Sequence, residues 1–438
     1  MAGLSKLFEK RSLASVKTEG FWALARKQFR NNKLALFSWR FIVIMIVVAL
    51  LADFLANEKP LVCTYKGKTY FPVLHSYLVD AGIDEWQPDL QNAEWKNLNY
   101  DWVLFPPIPY LPKNIDENNM HSVSPLADQT IRSKRWKHWM GTDELGHDVL
   151  AAMIHGTRIA LLVGLVSMSI AGFIGILLGA LAGYYGDEKL KTSRAQLIFN
   201  PLFIMLSLFY GFGVRSYILG DALSDSFSQF FLQLFISLLI ICVIIYVGNL
   251  FSKLVSRLAF FQKRVSVPVD IIVSRLIEVM LSVPTLFLII SIMAIAKPSL
   301  FLVMAIIGLT SWTGVARFIR AEFLRVRSLE YIEAAHALGY SERRTIFKHA
   351  IPNALSPVLI SIAFGIASAI LTESTLSFLG IGVPAETLTW GALLSSARQT
   401  PTAWWLAVFP GLAIFLTVTL YNLVGEGLTD ALDPRLRK

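Results

Sequence analysis

Long apolar runs separated by short polar segments dominate the pattern of this chain. A helix needs roughly 20 apolar residues to cross a hydrocarbon core about 30 Å thick, because every backbone group there must be hydrogen-bonded internally. Eight runs approach or exceed this length, at 35–56, 159–185, 197–214, 230–252, 277–296, 299–319, 354–372 and 403–425. The pattern therefore predicts an all-α integral membrane protein with about eight transmembrane helices.

The composition agrees with a membrane protein. Of the 438 residues, 55% are hydrophobic and 16% are charged, whereas about 25% are charged in an ordinary soluble domain. This hydrophobicity also excludes a disordered chain. Cys63 and Cys242 lie far apart with no nearby cysteine or histidine, so the sequence indicates neither a disulfide framework nor a zinc site.

The basic residues predict the orientation, because Lys and Arg in short flanking segments are retained on the cytoplasmic side. The flanks assigned to that side hold 27 basic residues and lie at 1–40, 187–196, 253–264, 275, 317–349 and 431–438. The short loops assigned to the other side hold three, namely Arg215, Lys297 and Arg398. We expect a multi-pass protein of the bacterial inner (cytoplasmic) membrane with both termini cytoplasmic. The net charge of +9 is spread over helix ends, which argues against nucleic-acid binding.

The first 140 residues divide into three parts. A cytoplasmic N-terminal segment, 1–34, precedes the first transmembrane helix at 35–56, which lacks a small-residue cleavage site and should remain as an anchor. The segment 57–140 is rich in Pro, Trp, Tyr and Asn. We expect it to form a small outer-side (periplasmic) cap, although an irregular loop with interfacial aromatic residues is an alternative.

The most informative cytoplasmic stretch is LEYIEAAHALGYSERRTIFKHAIP at 329–352, within the loop 320–352. Its first part predicts a short helix, because Tyr331, Ala334, Ala335 and Leu338 recur at helical spacing on one face. Gly339 is suited to the left-handed conformation that ends a helix. From physics alone, this is a helix–turn–helix elbow that either lies on the membrane surface or receives a partner.

The pattern EAA at 333–335, followed by Gly339 and by Ile351-Pro352, resembles the EAA signature of importer permeases of the ATP-binding cassette class. The family pattern has Ile where this chain has His349. In those proteins the loop forms a coupling helix that docks into a cytoplasmic ATPase. The resemblance implies that the docking residues here are Tyr331, Glu333, Ala334, Ala335, Leu338 and Gly339.

Further motifs from 141 to 436 are similar to those of the dipeptide, oligopeptide and nickel permease family. They are GTDELGHD at 141–148, GYYG at 183–186, SVP at 282–284, ESTLSFLG at 373–380, WG at 390–391 and FPG at 409–411. The stretches ANEKPL at 56–61 and YFP at 70–72 resemble the microcin C-type branch of that family.

This resemblance implies an ATP-driven importer for peptides or peptide-like compounds. The chain would be its permease subunit and not an enzyme, paired with a second homologous permease, two cytoplasmic ATPase subunits and a periplasmic or lipid-anchored substrate-binding protein. The sequence contains no G-x-x-x-x-G-K-[ST] loop that would cradle phosphate. We therefore expect no cofactor on this chain and ATP use by the partner subunits.

The resemblance also implies a division of the membrane part. Residues 141–186 would contain a helix leading into the second span, together with that span. Residues 187–264 are an insertion relative to the family and contain two extra spans, so that 265–438 completes a six-helix permease core. An even number of added crossings returns the chain to the same side of the membrane.

Charged residues in or near the spans suggest structural or gating sites. Glu373 is placed at the outer end of the seventh span, where it either titrates in a proton-coupled cycle or hydrogen-bonds near Ser374 and Ser377. Arg275 and Glu278 share a helix face and predict a salt-bridged helix start, with a gate as the alternative.

A metal site is a further possibility at residues 143–148. Asp143, Glu144, His147 and Asp148 offer hard oxygen ligands and one imidazole. Their sequence context favours a structural role at the start of the second span, so we expect no metal there.

Two other functions compete with the importer hypothesis. The chain could be an ion-gradient-driven secondary transporter, although no inverted pair of broken helices is visible in the sequence. It could also be a membrane-anchored binding module in which 57–140 does the work. That hypothesis predicts that no specific cytoplasmic loop is needed.

Overall fold

Seven helices of the computed structural model are long and apolar enough to cross a bilayer, and the number is eight if a bent helix pair is counted as one span. The structure describes residues 21–432 except 92, 226, 296, 347–349 and 385, and the count refers to these. The predicted all-α membrane fold with about eight spans is confirmed. Part of the predicted N-terminal segment, 1–20, and His349 lie outside the described residues.

The helices and strands are numbered in chain order. The helices before the permease core are α1 (Phe21–Asn31), α2 (Lys33–Leu50), α3 (Ala52–Leu55), α4 (Pro72–Asp80), α5 (Pro88–Gln91), α6 (Val149–Tyr185), α7 (Arg194–Leu208), α8 (Ser216–Asp225), α9 (Phe227–Val255) and α10 (Ala259–Gln262). Those of the core are α11 (Val269–Ser282), α12 (Thr285–Ile295), α13 (Leu300–Val326), α14 (Glu330–Ala337), α15 (Glu342–Thr345), α16 (Ile351–Phe378), α17 (Trp390–Gln399) and α18 (Trp405–Leu432). The strands are β1 (Val62–Tyr65), β2 (Lys68–Tyr70), β3 (Trp102–Leu104), β4 (Lys191–Ser193) and β5 (Arg264–Ser266).

The span predicted at 277–296 is not one straight helix. Helices α11 and α12 meet at an angle of 77°. Pro284 lies in the break and has no backbone N–H to donate, and its ring disfavours helical backbone at Val283. The SVP motif therefore produces a sharp bend that the apolar pattern did not predict.

The helix that leads into the predicted second span begins later than residue 141. Residues 141–148 form a turn, and α6 begins only at Val149. The Asp143 carboxylate accepts the backbone N–H of His147 at 2.8 Å, and Gly146 has a φ of +87°. A short side chain that bonds nearby backbone competes with helix formation.

The segment 57–140 contains regular structure in addition to loops. Strands β1, β2 and β3 form a three-stranded antiparallel sheet in the order β2-β1-β3. Helix α4 follows β2 directly. The side of the membrane on which this segment lies stays a prediction.

A second small sheet brings together the two ends of the insertion at 187–264. Strands β4 and β5 pair antiparallel, with Thr192 opposite Val265. Between them lie two candidate spans, Arg194–Ala222 and Gln229–Val255. Because the two ends of the insertion are adjacent, an even number of crossings fits this arrangement.

The chain forms two compact units. One contains residues 1–177, 280–319 and 343–438, and the other contains 178–279 and 320–342. In the first unit α18 packs against α2, α16 and α17. A Cβ atom on Gly175 of α6 would lie 2.6 Å from Cβ of Val315 on α13, so only glycine permits this helix contact.

A buried histidine joins the sheet-containing segment to the start of α6. His138 is fully buried, and its Nδ1 and Nε2 atoms lie 2.7 Å from Asp148 and 3.1 Å from Asp116. Carboxylates only accept hydrogen bonds, so both ring nitrogens must carry hydrogen. Tyr110 packs against the imidazole at a centroid distance of 4.3 Å, and the Lys96 ammonium lies 3.9 Å from the Tyr110 centroid.

The surroundings of His138 change the pKa of two groups. Burial alone would lower the pKa of His138, but its bonds to Asp116 and Asp148 outweigh burial and hold that pKa above its ordinary value. The hydrogen bond from His138 in turn lowers the pKa of Asp116 to about 2. The charged cluster is therefore intact at mildly acidic pH.

We predict that this cluster makes stability depend on pH. Because the folded pKa of His138 is raised, its contribution is complete below the unfolded pKa of about 6.5 and is lost as pH rises through the folded value. The melting temperature of the wild-type protein should fall relative to that of His138→Gln as pH increases from 6 to 9. A difference between the two proteins that stays constant over this range would contradict the assignment.

Candidate functional site

Helix α14 is anchored by one face and exposed on the other. It follows α13 after a short turn, and Ile332 is only 1% exposed. Glu333 and Ala334 are exposed, as are Tyr331 and Leu338, the latter at 73%. The predicted docking residues therefore lie at the surface of a helix that is held in place by Ile332. The side chain of Ala335 lies outside the described residues.

The end of α14 follows the sequence prediction. The Leu338 N–H donates to the Ala334 carbonyl at 3.0 Å. Gly339 then takes a φ of +76°, a conformation that side-chain-bearing residues rarely adopt. Helix α15 begins at Glu342, so the elbow is a helix, a glycine turn and a second short helix.

An ion pair fixes the end of α13 that leads into this elbow. The guanidinium of Arg320 binds both carboxylate oxygens of Asp270 in the first turn of α11, with Nη2 to Oδ2 at 2.8 Å. Such a two-pronged contact fixes orientation as well as distance. The sequence reasoning missed this pair, because its members are 50 residues apart and belong to different predicted spans.

Glycine brings α6 against the same stretch of α13. A Cβ atom on Gly183 would lie 2.5 Å from Cβ of Phe323 and 2.6 Å from the Arg320 carbonyl oxygen. Phe323 is completely buried, and Arg327 directs its guanidinium to the Gly183 carbonyl at 3.5 Å. The last turns of α13 are thus held by α6 and α11 immediately before α14.

Glu373 lies inside α16 rather than at its end. Helix α16 continues to Phe378, beyond the predicted limit of 372, so Glu373 is within the span. Its carboxyl group is 1% exposed and accepts hydrogen bonds from Ser377 at 2.6 Å and from Ser374 at 3.4 Å. A Cβ atom on Gly391 of α17 would lie 2.4 Å from the Ser374 carbonyl oxygen, so the two helices are in close contact here.

The other candidate residues make local contacts. Arg275 and Glu278 form the expected ion pair at 2.5 Å, but both side chains are largely exposed, and exposed pairs contribute little stability. A role in gating stays a prediction for them.

Residues 143–148 use their polar groups within the turn. The His147 imidazole lies 2.8 Å from the second Asp143 oxygen, and Asp148 accepts the Ala151 N–H at 2.6 Å at the start of α6. Among the described residues, no group of three or more His, Cys, Asp or Glu side chains is arranged to hold a metal ion.

Comparison with known proteins decides the family. The model described as binding-protein-dependent transport system inner membrane component matches residues 255–438, which include α14. The model described as N-terminal TM domain of oligopeptide transport permease C matches 20–71. The di/tripeptide transport system permease protein DppC of Pseudomonas aeruginosa is 31% identical over 68% of this chain and 72% of its own length. The chain belongs to the binding-protein-dependent transport permease family.

Two relatives align over nearly the whole chain. The inner membrane ABC transporter permease protein YejE of Escherichia coli is 29% identical, over 93% of this chain and 95% of its own. The peptidoglycan transport system permease protein YejE of Agrobacterium fabrum is 26% identical, over 97% and 95%. These matches confirm the predicted family and its YejE-like, microcin C-type branch.

Membership of this family establishes the general role of the chain. It is a multi-pass permease subunit of the inner membrane and not an enzyme, and ATP hydrolysis takes place on separate subunits. An ATPase and a substrate-binding protein are the partners that the family implies. A proton-coupled role for Glu373 therefore has no support from the family.

We predict that Glu373→Gln retains most ATP-driven uptake in proteoliposomes, because a glutamine carbonyl still accepts the Ser377 hydrogen bond. Glu373→Leu should lower the free energy of unfolding by about 1–3 kcal/mol, because it leaves the two buried hydroxyls without this acceptor. Loss of uptake in the Gln variant at normal stability would contradict a structural role. Wild-type uptake driven by a proton gradient without ATP would instead support the secondary transporter.

Proposed function

We propose that the chain is the transmembrane permease subunit of an ATP-driven importer for peptides or peptide-like compounds. The names of its relatives, which include di/tripeptide and oligopeptide permeases, support this substrate class. The chain pairs with a second homologous permease, two cytoplasmic ATPase subunits lie below the pair, and a periplasmic or lipid-anchored protein delivers substrate. ATP binds to the partner subunits, and no cofactor binds to this chain.

The proposed orientation places α14 and both termini in the cytoplasm and the segment 57–140 outside. The excess of basic residues in the flanks around α14 supports it. The insertion agrees, because its paired ends at β4 and β5 return the chain to one side.

The proposed coupling runs through α14. The observation that carries it is the exposure of Glu333, Ala334 and Leu338 on a helix whose other face is anchored by Ile332. A small side chain at Ala334 lets the wall of an ATPase cleft approach the backbone, and Glu333 offers it a charge. When the ATPases close on ATP, they move α14, and the fixed end of α13 transmits this displacement to the spans, which open the pathway outward. Hydrolysis then resets the subunit.

We predict that Glu333→Lys weakens association with the ATPase subunits. It also abolishes substrate-stimulated ATP hydrolysis, because it reverses a charge on the docking face. Copurification of the complex and its ATPase rate in nanodiscs measure these effects. The matched control is Glu188→Lys, which makes the same charge change at an exposed residue after α6, outside the elbow.

Normal association and normal stimulated ATP hydrolysis in Glu333→Lys would reject the docking role. The same result is expected if 57–140 alone carries the function, since an outer-surface binding module needs no specific cytoplasmic loop. A loss that is equal in Glu333→Lys and Glu188→Lys would mean that charge alone, and not the docking position, is responsible.

A further inference from the structure

Helix α4 carries an exposed apolar face. Phe71, which precedes its first residue, and Leu74, Tyr77 and Leu78 are between 44% and 51% exposed. Their spacing places them on one side of the helix. Ile83, just beyond its end, is 73% exposed. Large apolar side chains grouped in this way mark a contact surface.

Helix α4 is also packed against its own segment. Pro72 and Val73 are buried. The His75 ring meets the edge of Trp86 at a centroid distance of 4.5 Å, and its Nε2 atom lies 2.9 Å from Asp84. The exposed face is therefore presented by a helix that is attached to its own segment.

Hydrogen bonds place α4 beside the ends of two spans. The Tyr77 hydroxyl donates to Asp53, which follows α2 in the chain. The same carboxylate accepts a hydrogen bond from Arg158 Nη2 at 2.7 Å, and Arg158 Nε donates a hydrogen bond to the Ala49 carbonyl at 2.8 Å. The Asp53–Arg158 pair thus connects three elements: α4, α6 and the end of α2.

This charged pair marks the membrane boundary. Helix α6 has 37 residues and is about 55 Å long, whereas roughly 20 residues cross the hydrocarbon core. Arg158 is the one Asp, Glu, Lys or Arg residue of α6, and the stretch 159–185 that follows it contains none and is long enough to cross the core, so α6 crosses it without placing Arg158 inside. Leu50 and Leu51, at the end of α2 that precedes Asp53, are exposed apolar residues.

We propose that α4 lies on the membrane surface with Phe71, Leu74 and Leu78 inserted among the lipids at the boundary of headgroups and acyl chains. A lipid surface is the occupant because Tyr77 of α4 donates to Asp53, just after a helix long and apolar enough to span a membrane, and because α4 carries large exposed apolar side chains. Tyr77 suits this position, since its ring is apolar and its hydroxyl bonds a polar group at headgroup depth. The contact fixes the segment 57–140 relative to the bilayer plane.

The test uses the full permease complex in nanodiscs that contain nitroxide-labelled lipid. A fluorophore is attached to Leu74→Cys or Leu78→Cys, with Lys68→Cys on the exposed β2 strand as the matched control. Cys242 is exposed and is replaced in all three proteins, whereas Cys63 is buried and is left in place. Lipid nitroxide should quench the two α4 labels about threefold or more above the control, as expected for side chains at the acyl boundary, and iodide should quench them less.

A second measurement needs no substitution. A lipid-borne diazirine should label the unmodified complex in the peptide that spans 71–83 and not in the β1–β2 peptide 62–70. Iodide quenching of the α4 labels at the control level, without lipid quenching, would overturn the proposal. Protection of the α4 labels from iodide without quenching by lipid nitroxide, in the complex alone or after the binding protein is added, would also overturn it, by assigning the face to a protein partner. None of these outcomes depends on the docking role of α14.

Discussion

The contact between Gly183 and the last turns of α13 is the constraint on which the candidate coupling site depends. A larger residue would force α6 away from Arg320 and Phe323, because its Cβ atom would overlap both. The same stretch of α13 is held from α11 by the Asp270–Arg320 pair. These two contacts leave the end of α13 little freedom, and α14 follows after a turn of three residues. The proposed coupling uses this restraint, because a displacement of α14 would act directly on the held end of α13.

The remaining features divide the protein into parts with separate tasks. The elbow has exposed residues at which we propose that a motor subunit docks, and ATP hydrolysis takes place on separate subunits. The hydrogen bonds between Glu373 and its serines satisfy a carboxyl group within a span, where an unsatisfied polar group would be costly. The cluster of His138, Asp116 and Asp148 joins the sheet-containing segment to α6. The two candidate spans of the insertion lie between the paired strands β4 and β5. They bury little surface within the chain, so their contacts indicate no specific function.

The sequence predicted what depends on local pattern. Apolar runs of membrane-crossing length located the spans, and Gly339 ends α14 as its position indicated. The features that the sequence did not predict have physical causes. Pro284 bends a continuous apolar run, and the hydrogen bonds of Asp143 hold a turn before α6 begins at Val149. The Asp270–Arg320 and Asp53–Arg158 pairs join residues that are 50 and 105 positions apart, and no local pattern indicates such a partner. The motif indicated the proposed docking residues, but only burial identified Ile332 as the anchor of their helix.

The sidedness of Ala334 tests the central claim most directly. A cysteine at this exposed position, in a protein that lacks Cys242, is treated with a membrane-impermeant maleimide in intact spheroplasts and in inverted membrane vesicles. The account predicts labelling in inverted vesicles only, and protection of the cysteine when the ATPase subunits are bound there. Labelling of Ala334→Cys in intact spheroplasts would place α14 outside the cell and contradict the account.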